Sequence, residues 1–120
     1  MNNIVAEIVE LLKDGTDTIE RETNLHRYIG KVICGFIAEA LVLLDDGLWL
    51  EYKKQGAGSE RKDCRTLITA YGEVELRRRL VRLPNGRTVY PLDEAMGFGK
   101  RERFSPYLQY IIAGIATKCT

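Results

Sequence analysis

The feature that most constrains the fold is an alternating segment, Glu73–Leu83, which ends at the turn sequence Pro84-Asn85-Gly86. A two-residue period is typical of a β-strand, because successive side chains of a strand point to opposite faces of its sheet. Glycine supplies the positive φ that a tight turn needs, and asparagine tolerates it. The segment therefore predicts a long strand followed by a tight turn.

Two further segments extend this strand into a sheet. Thr66–Ala70 is β-rich and is separated from the long strand only by Tyr71-Gly72, which predicts a hairpin. Arg87–Tyr90 returns after the second turn, and Pro91 ends it because proline cannot donate a hydrogen bond to a sheet. Residues 65–91 therefore predict a small three-stranded antiparallel meander.

The alternation assigns the side chains of the long strand to two faces. One face carries Val74, Leu76, Arg78 and Leu80. The other carries Glu73, Glu75, Arg77, Arg79 and Val81. Arg78 is thus a charge on the more apolar face, and a buried guanidinium needs a partner. We predict a structural ion pair between Arg78 and either Asp93 or Glu94.

Residues 1–52 are predicted to be helical. Apolar residues recur at helical spacing before Gly15, and again from Ile29 to Leu44 in a second, long helix. Asp45-Asp46-Gly47 predicts a break or kink, after which the helix continues for a turn or two. The apolar positions of the second helix indicate either core packing or dimerisation through helix pairing.

The remaining segments complete an α+β fold in one domain. Residues 53–64, which begin KKQGAGSERK, predict a mobile basic loop that could serve as a flexible phosphate-contacting arm. Residues 92–120 predict a short helical turn stopped by Gly97 and then a C-terminal helix. Ser105-Pro106 is a strong start for that helix. Its sequence is apolar on most sides, so we expect it to be buried.

Charge is unevenly distributed, although the formal net charge is only +1. Residues 1–52 contain four basic and ten acidic residues, whereas residues 53–103 contain thirteen basic and seven acidic ones. The two halves either attract each other within one fold or create an interaction surface. Arg77 and Arg79 would lie about 7 Å apart on one strand face, close to the phosphate spacing along a DNA strand. The predicted phosphate contacts are Arg77, Arg79, Arg82, Arg87, Lys100, Arg101 and Arg103. The alternative is a solvated face whose arginines pair with nearby acids.

No catalytic or metal-binding pattern is visible. His26 is the single histidine, and the three cysteines, Cys34, Cys64 and Cys119, lack zinc-ribbon spacing and are interpreted as free thiols. The chain has no phosphate-binding loop motif, and adjacent acids such as Asp45 and Asp46 diverge by about 100° on a helix. We therefore expect a non-enzymatic, cytoplasmic chain with no cofactor, no small-molecule substrate, no signal peptide and no membrane association.

The segment Arg65–Arg79, RTLITAYGEVELRRR, resembles a motif of the ISLre-type insertion-sequence transposases, a family long catalogued simply as uncharacterised. The family pattern is approximately R-T-hydrophobic-x-T-x-[FY]-G-E-V-x-[FL]-x-R-R. Further landmarks follow in the expected order, namely Gly86, Val89-Tyr90, Leu92-Asp93-Glu94, Gly97, Arg101 and Ser105-Pro106. The helical region ending near Leu44-Asp45-Asp46 is also similar, so the resemblance covers most of the chain.

The resemblance implies DNA transposition by a metal-dependent, RNase H-like carboxylate nuclease, whose acids lie beyond the segment seen here. No catalytic residue or metal is therefore assigned to this chain. We interpret it as an N-terminal transposase fragment, from a truncated or frameshifted copy or an isolated region, that contributes double-stranded DNA binding or assembly. The alternatives are a helical dimerisation module without DNA binding and an inert remnant.

Overall fold

The computed structural model describes residues 2–15 and 17–118. Its elements are α1 (Asn2–Asp14), α2 (Thr18–Lys54), β1 (Gly58–Thr69), β2 (Gly72–Arg82), β3 (Thr88–Val89), α3 (Pro91–Met96) and α4 (Pro106–Lys118). This combination of helices with an antiparallel three-stranded sheet confirms the predicted α+β class. The fold divides into two compact units whose boundary lies inside α2, after Ile33.

The N-terminal unit contains α1 and the first turns of α2. Asp17 caps α2, because its Oδ1 accepts a hydrogen bond from the Glu20 backbone N–H at 2.7 Å. The Arg21 Nε donates to the Gly15 carbonyl at 3.1 Å, which fixes the connection between the helices. The end of α1 before Gly15 therefore agrees with the sequence prediction.

The sequence predicted a break or kink at Asp45-Asp46-Gly47. The second helix instead continues through these residues to Lys54. Asp45 is buried, and its carboxylate accepts hydrogen bonds from the backbone N–H and the guanidinium of Arg79, at 3.2 and 2.9 Å. These tertiary contacts offset the weak helix propensity of aspartate and glycine. The predicted break is therefore wrong.

The three strands form a sheet in the order β1-β2-β3. β1 pairs with almost the full length of β2, whereas β3 pairs only through Val89 and Thr88 with Val81 and Arg82. β1 begins at Gly58, so much of the predicted mobile loop over 53–64 is strand. This prediction failed because β2 is long enough to pair the polar residues of β1, and a register shift after Ser59 accommodates the extra residue.

Two apolar clusters hold the second unit together. The larger contains Cys34 and Leu41 of α2, Leu67, Val74 and Leu76 of the sheet, and Leu92 of α3. The smaller contains Ala57, Val81 and Val89, with Trp49, Tyr52 and Leu83 packed against it. The sheet is therefore packed against neighbouring helices through alternating strand positions, as the strand period predicted.

Short-range signals set the ends of the last two helices. Gly97 caps α3 in the left-handed conformation, with φ 71° and ψ 27°, which glycine adopts without a steric penalty. Ser105 caps α4, because its Oγ accepts a hydrogen bond from the Leu108 N–H at 3.2 Å. Both positions match the predictions.

The side chains of α4 do not match the prediction that this helix is buried. Tyr107, Tyr110, Ile112 and Ile115 are all exposed. Its N-terminal end is held at the edge of β1, where the Ser105 N–H donates to the Ile68 carbonyl at 2.9 Å. The apolar composition of this helix therefore does not produce a buried helix among the described side chains.

Candidate nucleic-acid interface

Arg78 lies on the apolar face of β2 and is buried, as the alternation implied. Its Nε and Nη2 donate to the Asp93 carboxylate at 3.3 Å, and its Nη1 donates to the carbonyls of Asp63 and Cys64. The guanidinium also stacks 4.0 Å from the ring centroid of Tyr90. Of the two predicted partners, Asp93 makes the contact, whereas Glu94 is exposed and makes no ion pair with the described residues. Arg78 is therefore committed to the fold.

Arg65 shares the same carboxylate, which sequence reasoning missed. Its Nη1 lies 3.0 Å from Asp93 Oδ2, and its Nη2 donates to the carbonyls of Gly99 and Glu102. Arg65 lies opposite Leu76 in the β1–β2 register, so it faces the same side of the sheet as Arg78. The β1–β2 register was therefore the signal that could have placed Arg65 beside Arg78. Arg65 consequently ties β1 to α3 and to the connector that follows it.

Arg79 was predicted to contact phosphate, but the structure gives it two carboxylate partners. Its Nη1 lies 2.9 Å from Asp45 Oδ2 and 2.7 Å from Asp46 Oδ1. The side chain is 14% exposed, and it also lies over the Trp49 ring. Two carboxylates already neutralise this guanidinium, so it no longer presents a free positive charge to a ligand.

Arg82 and Arg77 are both exposed, but they have different neighbours. The Nε of Arg82 is 2.5 Å from Glu60 Oε1, and this hydrogen bond holds the pKa of the Glu60 carboxyl below its usual value. Arg77 instead borders a groove of about 450 Å³ that also contains Glu39 and Glu75. Acidic groups thus accompany both arginines, and neither stands in a purely basic environment.

We use the name basic edge for the remaining four predicted contacts, which are Arg87, Lys100, Arg101 and Arg103. All four are exposed, and none forms an ion pair with another residue in the described ranges. Arg87 and Lys100 line one groove of about 300 Å³ together with Tyr90, Phe98 and the acidic residues Asp93 and Glu94. The structure therefore brings these two cations together around an accessible concave surface.

The backbone around the basic edge is well anchored. The Ile68 N–H donates to the Arg103 carbonyl at 2.7 Å, which places the connector beside β1. Arg65 holds the carbonyls of Gly99 and Glu102, on either side of Lys100 and Arg101. The buried arginines of the sheet therefore position the segment that exposes the free cations.

Asp63 and Tyr90 form a hydrogen-bonded pair beside this network. The Tyr90 hydroxyl donates to Asp63 Oδ2, and this bond is the largest cause of both pKa shifts. It lowers the pKa of Asp63 and raises the pKa of Tyr90, because it stabilises the carboxylate and occupies the phenol proton. The pair favours an ionised Asp63 beside Arg61 and Arg78.

The described residues offer little else of chemical interest. Among the described residues, there is no group of three or more histidine, cysteine, aspartate or glutamate side chains that could hold a metal ion. No helix in the described ranges contains an apolar stretch that would cross a membrane. Cys34 and Cys64 are free thiols, and the predicted thiol at Cys119 lies outside the described residues.

Comparison with known proteins identifies the family. Residues 11–120 match the Uncharacterised protein family (UPF0236). The chain belongs to this family. A family member from Streptococcus gallolyticus, the "UPF0236 protein in vanSb 3'region", is 31% identical over 117 residues, which are 98% of this chain and 26% of that protein. The chain thus spans about a quarter of the length of this relative. No solved structure matches this chain significantly.

Proposed function

We propose that this UPF0236 chain provides DNA binding or assembly to a transposase-like protein and does not itself carry the catalytic residues. The motif Arg65–Arg79 supports the proposal through its resemblance to insertion-sequence transposases. The observation that carries the DNA-binding part is the basic edge, because its four exposed cations form no ion pair with the described residues. Duplex DNA is a suitable ligand for such a surface, since phosphate contacts supply most non-specific affinity.

The structure changes which residues we expect to contact DNA. Arg78 and Arg79 have carboxylate partners, and removing either arginine would leave a carboxylate without that partner. Arg87, Lys100, Arg101 and Arg103 can each contact a phosphate without breaking an ion pair with a described residue. The proposed interface therefore moves from the face of β2 to the basic edge.

A salt titration of duplex binding tests this proposal. We expect the chain to bind duplex DNA at low salt, with an affinity that falls steeply as salt rises, because each phosphate contact releases counterions. The variant with Lys100→Ala and Arg101→Ala should reduce the slope of log K against log salt by up to about two units. The measurement is fluorescence anisotropy on a labelled duplex that includes the terminal repeats of an insertion element.

The matched control removes two positive charges elsewhere. Arg27 and Lys31 are exposed on the first part of α2, so Arg27→Ala with Lys31→Ala changes the net charge equally. This control should retain the original slope. An equal decrease of the slope in both variants would show that only net charge matters. The absence of duplex binding at low salt would exclude the DNA-binding role.

A further inference from the structure

One side of α2 carries an apolar face that the described part of the chain leaves uncovered. We call it the open face, and it consists of Phe36, Ala40, Leu43, Gly47 and Leu50. All five residues are exposed, and the three large ones are 56%, 67% and 58% exposed. Their spacing of alternately four and three residues keeps them on one side of the helix.

The opposite side of the same helix already packs against the sheet. Cys34, Leu41 and Asp45 are buried, and they lie about 180° around the helix from the open face. Core packing therefore explains only one of the two apolar sides of α2. Contiguous exposed apolar residues on a helix generally indicate an interaction surface.

We propose that the open face pairs with the same face of a second copy of this chain, in antiparallel orientation. Large and small residues alternate along it, with Phe36, Leu43 and Leu50 separated by Ala40 and Gly47. An antiparallel pair with its twofold axis near Asp45 sets Leu43 against the partner's Gly47 and Leu50 against the partner's Ala40. Each of these two leucines then fills the space above a small residue, Phe36 lies opposite the partner's Lys54, and the helices can approach closely.

Charges beside the open face favour this orientation. Glu39 and Lys53 lie on the same flank, and neither has an ion-pair partner among the described residues. The antiparallel register brings Glu39 beside the partner's Lys53, and does so twice by symmetry. A parallel pair would instead bring Asp46 towards the partner's Glu51, which is a repulsive contact.

Asp46 lies closest to the proposed twofold axis on this flank, where it approaches the partner's Asp46. Arg79 reduces this repulsion, because its Nη1 is 2.7 Å from Asp46 Oδ1, although Asp45 shares the positive charge of the guanidinium. The arginine that we excluded from phosphate contact thereby acquires a second role. It connects the sheet to the helix and reduces repulsion at the centre of the interface.

The open face is short, so the dimer should be concentration-dependent. From Phe36 to Leu50 the helix rises about 21 Å. A seam of this length buries less than the roughly 800 Å² per partner of a standard stable complex. We therefore expect a dissociation constant in the micromolar range, on the order of 10⁻⁶ to 10⁻⁵ M.

Sedimentation equilibrium of the full chain without DNA tests the pairing. Leu43→Asp should raise the dissociation constant by ~100-fold or more, because one buried leucine is lost from each chain. Ile19→Asp is the control, since Ile19 is 80% exposed on α2 away from the open face, and it should leave the constant unchanged. Circular dichroism checks that both variants remain folded. A monomer at all concentrations, or equal effects of the two variants, would overturn the proposal.

Charge exchange tests the orientation without altering the apolar face. Glu39→Lys alone and Lys53→Glu alone should each weaken the dimer by roughly fivefold, whereas the double variant restores it, because exposed ion pairs are worth up to about 1 kcal/mol each. Failure of the double variant to recover would reject the antiparallel register. Since no DNA is present, this result is independent of the proposed DNA-binding function.

Discussion

At the scale of single residues, the arginines of this chain divide into two classes. Arg65 and Arg78 surround one carboxylate, Asp93, and their remaining donors are occupied by backbone carbonyls. Arg87 and its neighbours on the basic edge have no such partners. Burial separates the classes, because a guanidinium withdrawn from water must be paired, whereas an exposed one is solvated.

Asp93→Asn should destabilise the second unit strongly. The substitution leaves two largely buried guanidiniums without their shared carboxylate, and breaking a buried pair costs about 3 to 5 kcal/mol. The measurement is the free energy of unfolding in urea. Glu94→Gln removes the same charge from the neighbouring, exposed position, and its effect should stay within about 0.5 kcal/mol. Equal effects at the two positions would contradict the assigned network.

Tyr90→Phe should raise the pKa of Asp63 towards its ordinary value of about 3.9, because the phenol hydrogen bond is the main cause of its lowering. A lowered carboxyl pKa contributes stability at pH values above the pKa of the unfolded state. That stability is lost as the pH falls through the pKa of the folded state. The raised pKa of Tyr90 contributes stability that is lost at alkaline pH. Both pH dependences should weaken in the variant. An NMR titration of Asp63 measures the first, and an unchanged pKa would reject the pairing.

At the scale of elements, a glycine within a helix lowers its stability, whereas a glycine at the end of a helix raises it. Gly97 has φ of 71°, and Ala there should cost about 1 kcal/mol or more, because a side chain disfavours this conformation. Gly35 lies within α2 with no neighbour close to an added Cβ, so Gly35→Ala should stabilise by about 0.5 to 1 kcal/mol. Thermal unfolding compares the two variants. Changes of the same sign would contradict this reading of their backbone conformations.

Sequence patterns predicted those elements whose signals are local. The alternation of β2, the turn at Pro84-Asn85-Gly86 and the start of α4 at Ser105-Pro106 all depend on residues within a few positions. The patterns failed where a distant partner decides the outcome. β1 extends to Gly58 because β2 pairs with it, and α2 continues through Asp45 because Arg79 binds that carboxylate.

At the scale of the whole molecule, the unequal charges of the two halves have two outcomes. Part of the basic excess is neutralised within the second unit, where Arg79 binds Asp45 and Asp46. Another part, the basic edge, has no acidic partner among the described residues. The pairing interpretation is thus confirmed for Arg79, whereas an interaction surface at the basic edge stays a prediction. Only the positions of the carboxylates could distinguish them.

The sequence by itself determined the fold class, the antiparallel hairpin and the family, because helical and strand periods, turn residues and the Arg65–Arg79 motif are local properties of the chain. Tertiary structure decided which charges are available. Arg77, Arg78 and Arg79 are adjacent and identical in sequence, yet one borders an acidic groove, one is buried with Asp93 and one binds two aspartates of α2. Alternation separates their faces, but the partner that each arginine meets depends on helices distant in sequence.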